Sequence, residues 1–436
     1  GLLDETRFYL RDLSPQEIRS LAVPQTPAEI AGMKQPTVAQ SEKLLHYYLD
    51  QVDSSAQGDD YRKLRALEST TRRFVETIPT SMVMQENADR GKTHMLIRGQ
   101  YDNPGAEVTM NIPKSLLKGS DGQTFESRLD LARWIVSDQN PLTARVIVNR
   151  FWHQFFGRGV VKTLEDFGSQ GAPPTHPRLL DWLAVEFRSN DWDVKALVEL
   201  LVTSSTYMQD SYVSETHLRQ DPENIWLGRA SRLRLPAETL RDQALAVSGL
   251  LNGKIGGPSV KPYQPEGLWK EIASQAYDQG TGEDLYRRGM YTFWKRTVPP
   301  PTMVTFDASS REICVLSRSR TNTPLQALVL LNEVSYVEAA RNLAQQMMLT
   351  EKSPAARLRW GWRQVTSREP SDYEVSVLAN SLQRNLKRYA ADSDAAKELV
   401  SFGESIPAAD LDVSELAAYT AVASMLMNLD EVINRE

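Results

Sequence analysis

The sequence predicts a mainly α fold: a multi-helix chain with a small β-hairpin region near residues 82–110 and a few short strands near residue 290. Three observations carry this. Capped helix starts recur along the chain, apolar residues follow them at three- and four-residue spacing, and β-type alternation is confined to two short stretches.

Taken in order, Ser14-Pro15-Gln16-Glu17 and Thr26-Pro27-Ala28-Glu29 each put a hydroxyl at the N-cap, proline first in the helix and glutamate third. The hydroxyl accepts from a free amide, proline has no amide to leave unpaired, and the glutamate reaches back to the cap. Met82-Val83-Met84 and His94–Gly99 read as strands, Tyr101–Gly105 as a turn and Ala106–Met110 as the returning strand. A polar, glycine-bearing break is expected at Lys118–Gly122. One helix opens at Arg128, another runs from about Pro141 to Phe156, and Pro177, Pro236 and Pro354 mark further starts. Leu240, Ala244, Val247 and Leu251 fall on one helical face. Between Gly253 and Gly289, seven glycines and three prolines predict a long irregular excursion. Gly289–Arg296 is a candidate strand, and Pro299-Pro300-Pro301 is expected to be extended. Thr323-Pro324-Leu325-Gln326 and Ser371-Asp372-Tyr373-Glu374 repeat the capping pattern.

Composition narrows the function classes. The 436 residues allow two or three domains. With 50 Lys+Arg against 56 Asp+Glu, the chain has no basic footprint for nucleic acid. No apolar run is long enough for a membrane span. The single cysteine, Cys314, excludes an intrachain disulfide, a Cys-x-x-Cys zinc or redox site and covalent c-type haem attachment on these residues. It reads as a small core residue. The five histidines show no metal-ligand spacing, so no metal site is expected. No P-loop, dinucleotide fingerprint or nucleophile elbow occurs. The chain opens at Gly1 rather than Met, and is read as processed or as a piece of something longer.

The candidate site residues cluster in the middle of the chain. Arg145, Asn149 and His153 recur every four residues and line one edge of an aromatic-rich helix that also carries Arg150. Two readings stand for this stripe: a ligand pocket, or a polar network that fixes loop carbonyls. Asp166 and His176 flank a glycine- and proline-bearing loop. They could work as an acid–base pair, or they could satisfy backbone groups locally. Arg318, Arg320 and Asn322 precede a strong helix start. The arginines could hold an anion there, or pair with acids such as Asp307 or Glu312. Tyr263, Trp269, Tyr277 and Tyr286 in the excursion are either loop anchors or a saccharide-stacking surface.

Arg128–Trp134, Asn140–Gly159, Asp166–Pro177, Leu180–Ala184, Trp192–Leu197 and Thr203–Tyr207 stand in order along the chain, followed by Glu238–Asp242, Phe306–Ala308, Arg320–Leu328 and Asn428–Glu431. This series resembles the C-terminal domain, a family of unknown function, of planctomycete-type, cytochrome c–associated exported proteins. The resemblance covers roughly residue 80 to the end. It implies a division into residues 1–118, a helical run-up and hairpin closing an upstream domain, and residues 119–436, the C-terminal domain. It also implies an extracytoplasmic, periplasmic or cell-surface location, and a c-type haem on a linked domain or partner chain with none on this chain. The function expected is that of a non-haem module binding a ligand or partner, with saccharide-derived molecules in view. Arg145, Asn149, Arg150, Arg320 and Asn322 would contact the ligand, and His153, His176 and Asp166 would serve any chemistry. A structural or assembly domain, and a hydrolase using Asp166 and His176, are the alternatives.

Overall fold

A computed structural model describes residues 9, 13–87, 91–116, 125–272 and 276–435. The chain divides into two compact units, Gly1–Thr109 and Met110–Glu436. The break expected at Lys118–Gly122 lies outside the described residues.

In the first unit, α1 (Pro15–Leu21), α2 (Pro27–Ala31) and α3 (Val38–Tyr47) lead through a π turn, Tyr48–Val52, into the long α4 (Ala56–Thr77). Both expected capping boxes form, at Ser14 with Glu17 and at Thr26 with Glu29. Arg62 of α4 donates to the carbonyls of Leu49, Asp50 and Asp53, which the wide π turn leaves without helical partners. Gly58 is obligatory at the start of α4, because a Cβ there would stand 2.1 Å from the Asp53 carbonyl oxygen. The hairpin pairs β1 (Thr93–Leu96) antiparallel with β2 (Pro104–Val108), placing His94 opposite Glu107. Met82-Val83-Met84 is not part of this two-stranded sheet and lies in irregular chain, so the strand expected there is corrected.

Besides a minor cluster of Ile112, Phe125 and Trp134, the second unit contains two main apolar clusters. The smaller forms where α6 (Thr143–Phe156), following α5 (Arg128–Ile135), packs on α7 (Pro177–Ser189) and α8 (Val194–Val202). Trp152 stacks on Phe156 with ring centroids 4.0 Å apart, over Leu180, Leu183, Phe187 and Leu197. After α9 (Glu215–Gln220), β3 (Leu233–Arg234) leads into α10 (Ala237–Val247). The excursion carries α11 (Leu268–Ile272) and returns at residue 289.

Around residue 290 a 3-10 turn, Gly289–Tyr291, and isolated bridges at Arg287, Thr292 and Lys295 take the place of a continuous ladder. The polyproline segment is extended only as far as Pro300. Pro301 is the first residue of α12 (Pro301–Thr305), where a missing amide costs nothing.

The larger cluster is built by α13 (Pro324–Asn332), α14 (Val334–Thr350), α15 (Pro354–Thr366), α16 (Asp372–Ala391), α17 (Ser393–Val400) and α18 (Val413–Met427). The central pair is α14 and α18. Ala339, Ala340 and Ala344 on one and Ala417, Ala418 and Ala423 on the other are all buried, and their small size lets the two backbones approach closely. The chain closes with α19 (Asp430–Ile433) and β4 (Asn434–Arg435), which pairs antiparallel with β3. The Thr323–Gln326 and Ser371–Glu374 capping boxes form as the sequence predicts.

One ion pair lies inside this core. Glu338 and Arg341 of α14 have side chains only 1% and 2% exposed, with Nη2 3.7 Å from Oε1. Oε1 of Glu338 also accepts from the Tyr286 hydroxyl at 2.8 Å and from the Ser405 amide at 2.7 Å. Burial pulls the Arg341 guanidinium below its ordinary value and the Glu338 carboxylate opposes that shift. Glu338→Ala strands that cation, and is expected to destabilise the protein by about 3–5 kcal/mol. Chemical denaturation of the variant against the wild type measures this.

Candidate functional site

The stripe on α6 separates by depth and by role. Arg145 pairs with Asp181 of α7, Nε to Oδ1 at 2.7 Å, and donates to the Pro141 carbonyl. Asn149 is fully buried. Its side chain donates to the Val161 carbonyl and accepts from the Val161 amide, both at 2.9 Å. The Asn149 amide therefore mimics a strand partner for the loop after α6. Gly159 passes so close that a Cβ would lie 2.8 Å from Asn149 Nδ2. Arg150 points to solvent. Of the stripe, only His153 faces a cavity. Asn149 and, through Nε and Nη1, Arg145 make these contacts within the protein, which is the polar-network arrangement for this part of the stripe.

That cavity is a cleft of about 370 Å³ between the C-terminal half of α6, the β3–α10 junction, the end of α12 and the loop before α13. Leu235, Phe306 and Leu316 form its apolar wall. Charge comes from Arg234, Arg318 and Arg320 against Glu238 and Asp307. Both carboxylates are taken. Glu238 receives Arg318 Nη1 at 2.8 and 3.0 Å, and Asp307 Oδ2 accepts the amide and hydroxyl of Thr321 at 2.7 and 2.8 Å. The expected pairing of these arginines with internal acids is thus realised through Glu238 for Arg318. Glu312 sits 3.9 Å from Arg296 instead.

Arg234 donates to Asn322 Oδ1 at 3.3 Å and lies 5.9 Å from the Phe306 ring centroid. Asn322 therefore orients a cleft arginine rather than lining the cavity. Arg320 makes no hydrogen bond or ion pair with a described residue. Its Nη1 lies beside Gly157, the left-handed C-cap of α6, 3.4 Å from where a Cβ would stand. A Cβ on Gly157 would also meet Leu233 at 2.5 Å, so glycine is required both by its φ of 78° and by that contact.

His153 is half-buried. Its Nε2 lies 3.4 Å from the Ser317 hydroxyl, and its Nδ1 is buried with no partner among the described residues. Burial first, and the Arg320 charge second, hold its pKa below the ordinary histidine value near 6.5. At neutral pH it is therefore a neutral ring that can accept or donate one hydrogen bond in the cleft.

Asp166 and His176 are placed elsewhere. Asp166 Oδ1 accepts from the Gly168 amide at 2.6 Å, and its carbonyl accepts from the Thr163 hydroxyl at 2.7 Å, a turn that fixes its own loop. His176 is the N-cap residue of α7 and its Nδ1 lies 3.0 Å from the Thr175 hydroxyl. Neither lines the His153 cleft.

The excursion aromatics serve as anchors. The Tyr277 hydroxyl donates to the Pro262 carbonyl at 2.6 Å and that of Tyr263 accepts from the Glu404 amide at 2.7 Å. Trp269 is buried, and Lys295 and Lys261 stand 4.4 and 5.5 Å from its ring centroid, so a sugar has no open face there. Cys314 is exposed, not a core residue, because residues 311–320 cross the surface without a regular element to turn it inward.

Residues 127–382 match the model of a family described as PSD1, a protein of unknown function (DUF1553). The chain belongs to that family. No curated protein and no solved structure was found to match. The span matched to DUF1553 includes every residue of the cleft and ends inside α16, so α17 and α18, which complete the larger core, lie beyond it. Among the described residues no group of three His, Cys, Asp or Glu could hold a metal ion, and no helix is long and apolar enough to cross a membrane.

The sequence pattern pointed to His153 and Arg320, but not to Arg234, Glu238 or Phe306 as members of one site. The alternation Arg232-Leu233-Arg234-Leu235 before Pro236 was the available signal, since period two puts both arginines on one face of a short strand.

Two outcomes follow for this site. Asn149→Ala leaves the buried Val161 amide and carbonyl unpaired and should cost about 2–4 kcal/mol in denaturant unfolding. His153 has a lowered folded-state pKa, so its neutral form favours the fold. Stability is expected to fall as pH drops below about 6.5, where the unfolded chain takes up the proton first. His153→Gln should flatten that slope between about pH 7 and pH 5 in thermal unfolding.

Proposed function

We propose that this chain is the non-haem module of an exported, planctomycete-type protein linked to a c-type cytochrome, and that it binds a ligand or partner in the cleft at His153. Saccharide-derived molecules are the first class to test, in the setting of carbohydrate utilisation beside an electron-transfer complex. The haem is assigned to a linked domain or a partner subunit, and the location to the periplasm or cell surface. Residues 1–118 are assigned to the end of an upstream domain, and residues 119–436 to the module itself.

The observation that supports binding is the cleft. It combines an apolar wall, a neutral histidine and an arginine that has no hydrogen-bond or ion-pair partner among the described residues. The redox linkage rests on the ordered series of motifs that resembles the cytochrome-associated proteins. A structural or assembly domain is the second reading. It is favoured by the commitment of Arg145, Asn149 and Asp166 to internal groups.

The ligand reading predicts that His153→Ala, which loses only the long contact to Ser317, keeps the wild-type melting temperature within a few degrees. The same variant should lose binding in a glycan screen by calorimetry. An unfolded variant, or undiminished binding, counts for the structural reading. Haem staining and a visible spectrum of the natively purified assembly check the redox part. A Soret band with a haem-stained partner band is expected, and a haem-free assembly overturns it.

A further inference from the structure

We infer that the His153 cleft selects an organic oxyanion, a carboxylate or sulfate ester on a body of about monosaccharide size. The inference rests on the reading of this cleft as the binding site and adds the charge class of its ligand.

The argument is one of unmatched donors. Every carboxylate oxygen pair on the cleft wall already has a protein partner: Glu238 has Arg318 and Asp307 has Thr321. The cations are not matched in the same way. Arg320 has no acidic partner among the described residues, and the charged group acting on it most is another cation, Arg435. Arg435 itself donates to the Phe155 carbonyl and lies 5.2 Å from the Tyr207 ring centroid, with no ion pair to an acid among the described residues. Arg234 keeps its Nε buried with no partner among the described residues while Nη1 reaches Asn322, and Asp430 and Asp307 act on its charge.

Arg320, exposed at the cleft and beside the like charge of Arg435, is the surplus cation of the site. An oxyanion at Arg320, within reach of Arg234, offsets that surplus, since a guanidinium presents two parallel N–H groups that match two oxygens of a carboxylate or sulfate. Neutral His153 adds a hydrogen bond without adding charge, and Phe306 and Leu316 offer an apolar face to the body of the ligand. Cation capture there is disfavoured, because both acids are occupied.

The test is calorimetric titration of the full chain with glucuronate, glucose 6-sulfate and neutral glucose. Glucuronate or glucose 6-sulfate should bind at least about tenfold more tightly than glucose, with affinity falling as salt rises. Which of the two binds better separates a carboxylate from a sulfate ester. Arg320→Gln should erase the advantage of the anions, and Arg320→Lys should restore part of it, since charge survives but the paired donors do not. If Arg320→Gln fails to fold, the wild-type ranking and its salt dependence still decide. Equal binding of all three with no effect of Arg320→Gln, while His153→Ala weakens it, overturns the charge class and leaves the cleft intact. Absence of binding by either anion or by glucose overturns both.

Discussion

The carboxylate of Glu338 is the constraint on which the second unit depends. It lies inside the helix pair that centres the larger core, and holds two segments outside the α-helices. Through Tyr286 it fixes the end of the glycine-rich excursion, and through Ser405 it fixes the turn that follows α17. Gly403, at φ 85°, lets that turn reach it; a Cβ there would lie 2.1 Å from the Glu338 carboxyl carbon. Beyond Tyr286, Arg241 of α10 donates to the Leu285 carbonyl and to Ser335 at the start of α14, and the Gly289 amide donates to Asp242 of α10. Gly289 packs so closely on Glu238 that a side chain would not fit. The same α10 carries Glu238 into the cleft, where it holds Arg318. A buried ion pair is weak evidence for stability as such. Here its effect is positional, since it ties an irregular segment to the helix that presents the cleft.

The cleft inverts the arrangement of the core. In the core a buried charge meets its opposite, whereas in the cleft Glu238 holds Arg318, Asp307 and Asp430 act on Arg234, and Arg320 is left without an acid among the described residues. The lowered pKa of Arg320 and of Arg234 has the same first cause, burial, but their neighbours differ. Asp430 and Asp307 offset the cost at Arg234, while Arg435 adds to it at Arg320. The C-terminal end of α6 compensates Arg320 in part, because the negative end of the helix dipole lies there. That compensation holds the guanidinium in place without consuming its donors.

The legible part of the structure is the part governed by local rules. A capping box is decided by four adjacent residues, and the Ser14, Thr26, Thr323 and Ser371 boxes all form where their sequences predict. Helical spacing likewise identified the face of α6. It could not say that Asn149 would meet Val161, since that pairing depends on how the loop after α6 folds back, which no periodicity encodes. The same holds for Glu238 and Arg318, separated by eighty residues and joined only when α10 and the loop before α13 come together. Strand signals were weaker still. Met82–Met84 has β-type composition but lies outside the ladder. The chain around Gly289 is drawn into isolated bridges, Arg287 with Asn252 and Thr292 with Val260, rather than into a sheet. Cys314 shows the limit of composition, because a residue type that is commonly buried has no inward direction on an irregular loop.

The position of the cleft follows from the way the two apolar clusters are joined. His153 belongs to a helix whose apolar face feeds the smaller cluster, while Phe306 belongs to the larger. The seam between them is closed by polar contacts: β3 and β4 pair with each other, the Ser231 hydroxyl before β3 donates to the Phe156 carbonyl at 2.7 Å, Arg435 of β4 donates to the Phe155 carbonyl, and exposed ion pairs such as Arg232 with Asp430 lie alongside. Exposed pairs contribute little, about 0–1 kcal/mol each. A seam of this kind leaves space that apolar side chains do not fill, and it can adjust at low cost compared with either core. Placing the arginines on that seam, rather than within a cluster, keeps their donors accessible from solvent while the cores on either side hold the backbone that carries them. A ligand of the proposed kind, bridging Arg320 on one side and Arg234 on the other, would add a contact across the junction where the two clusters meet.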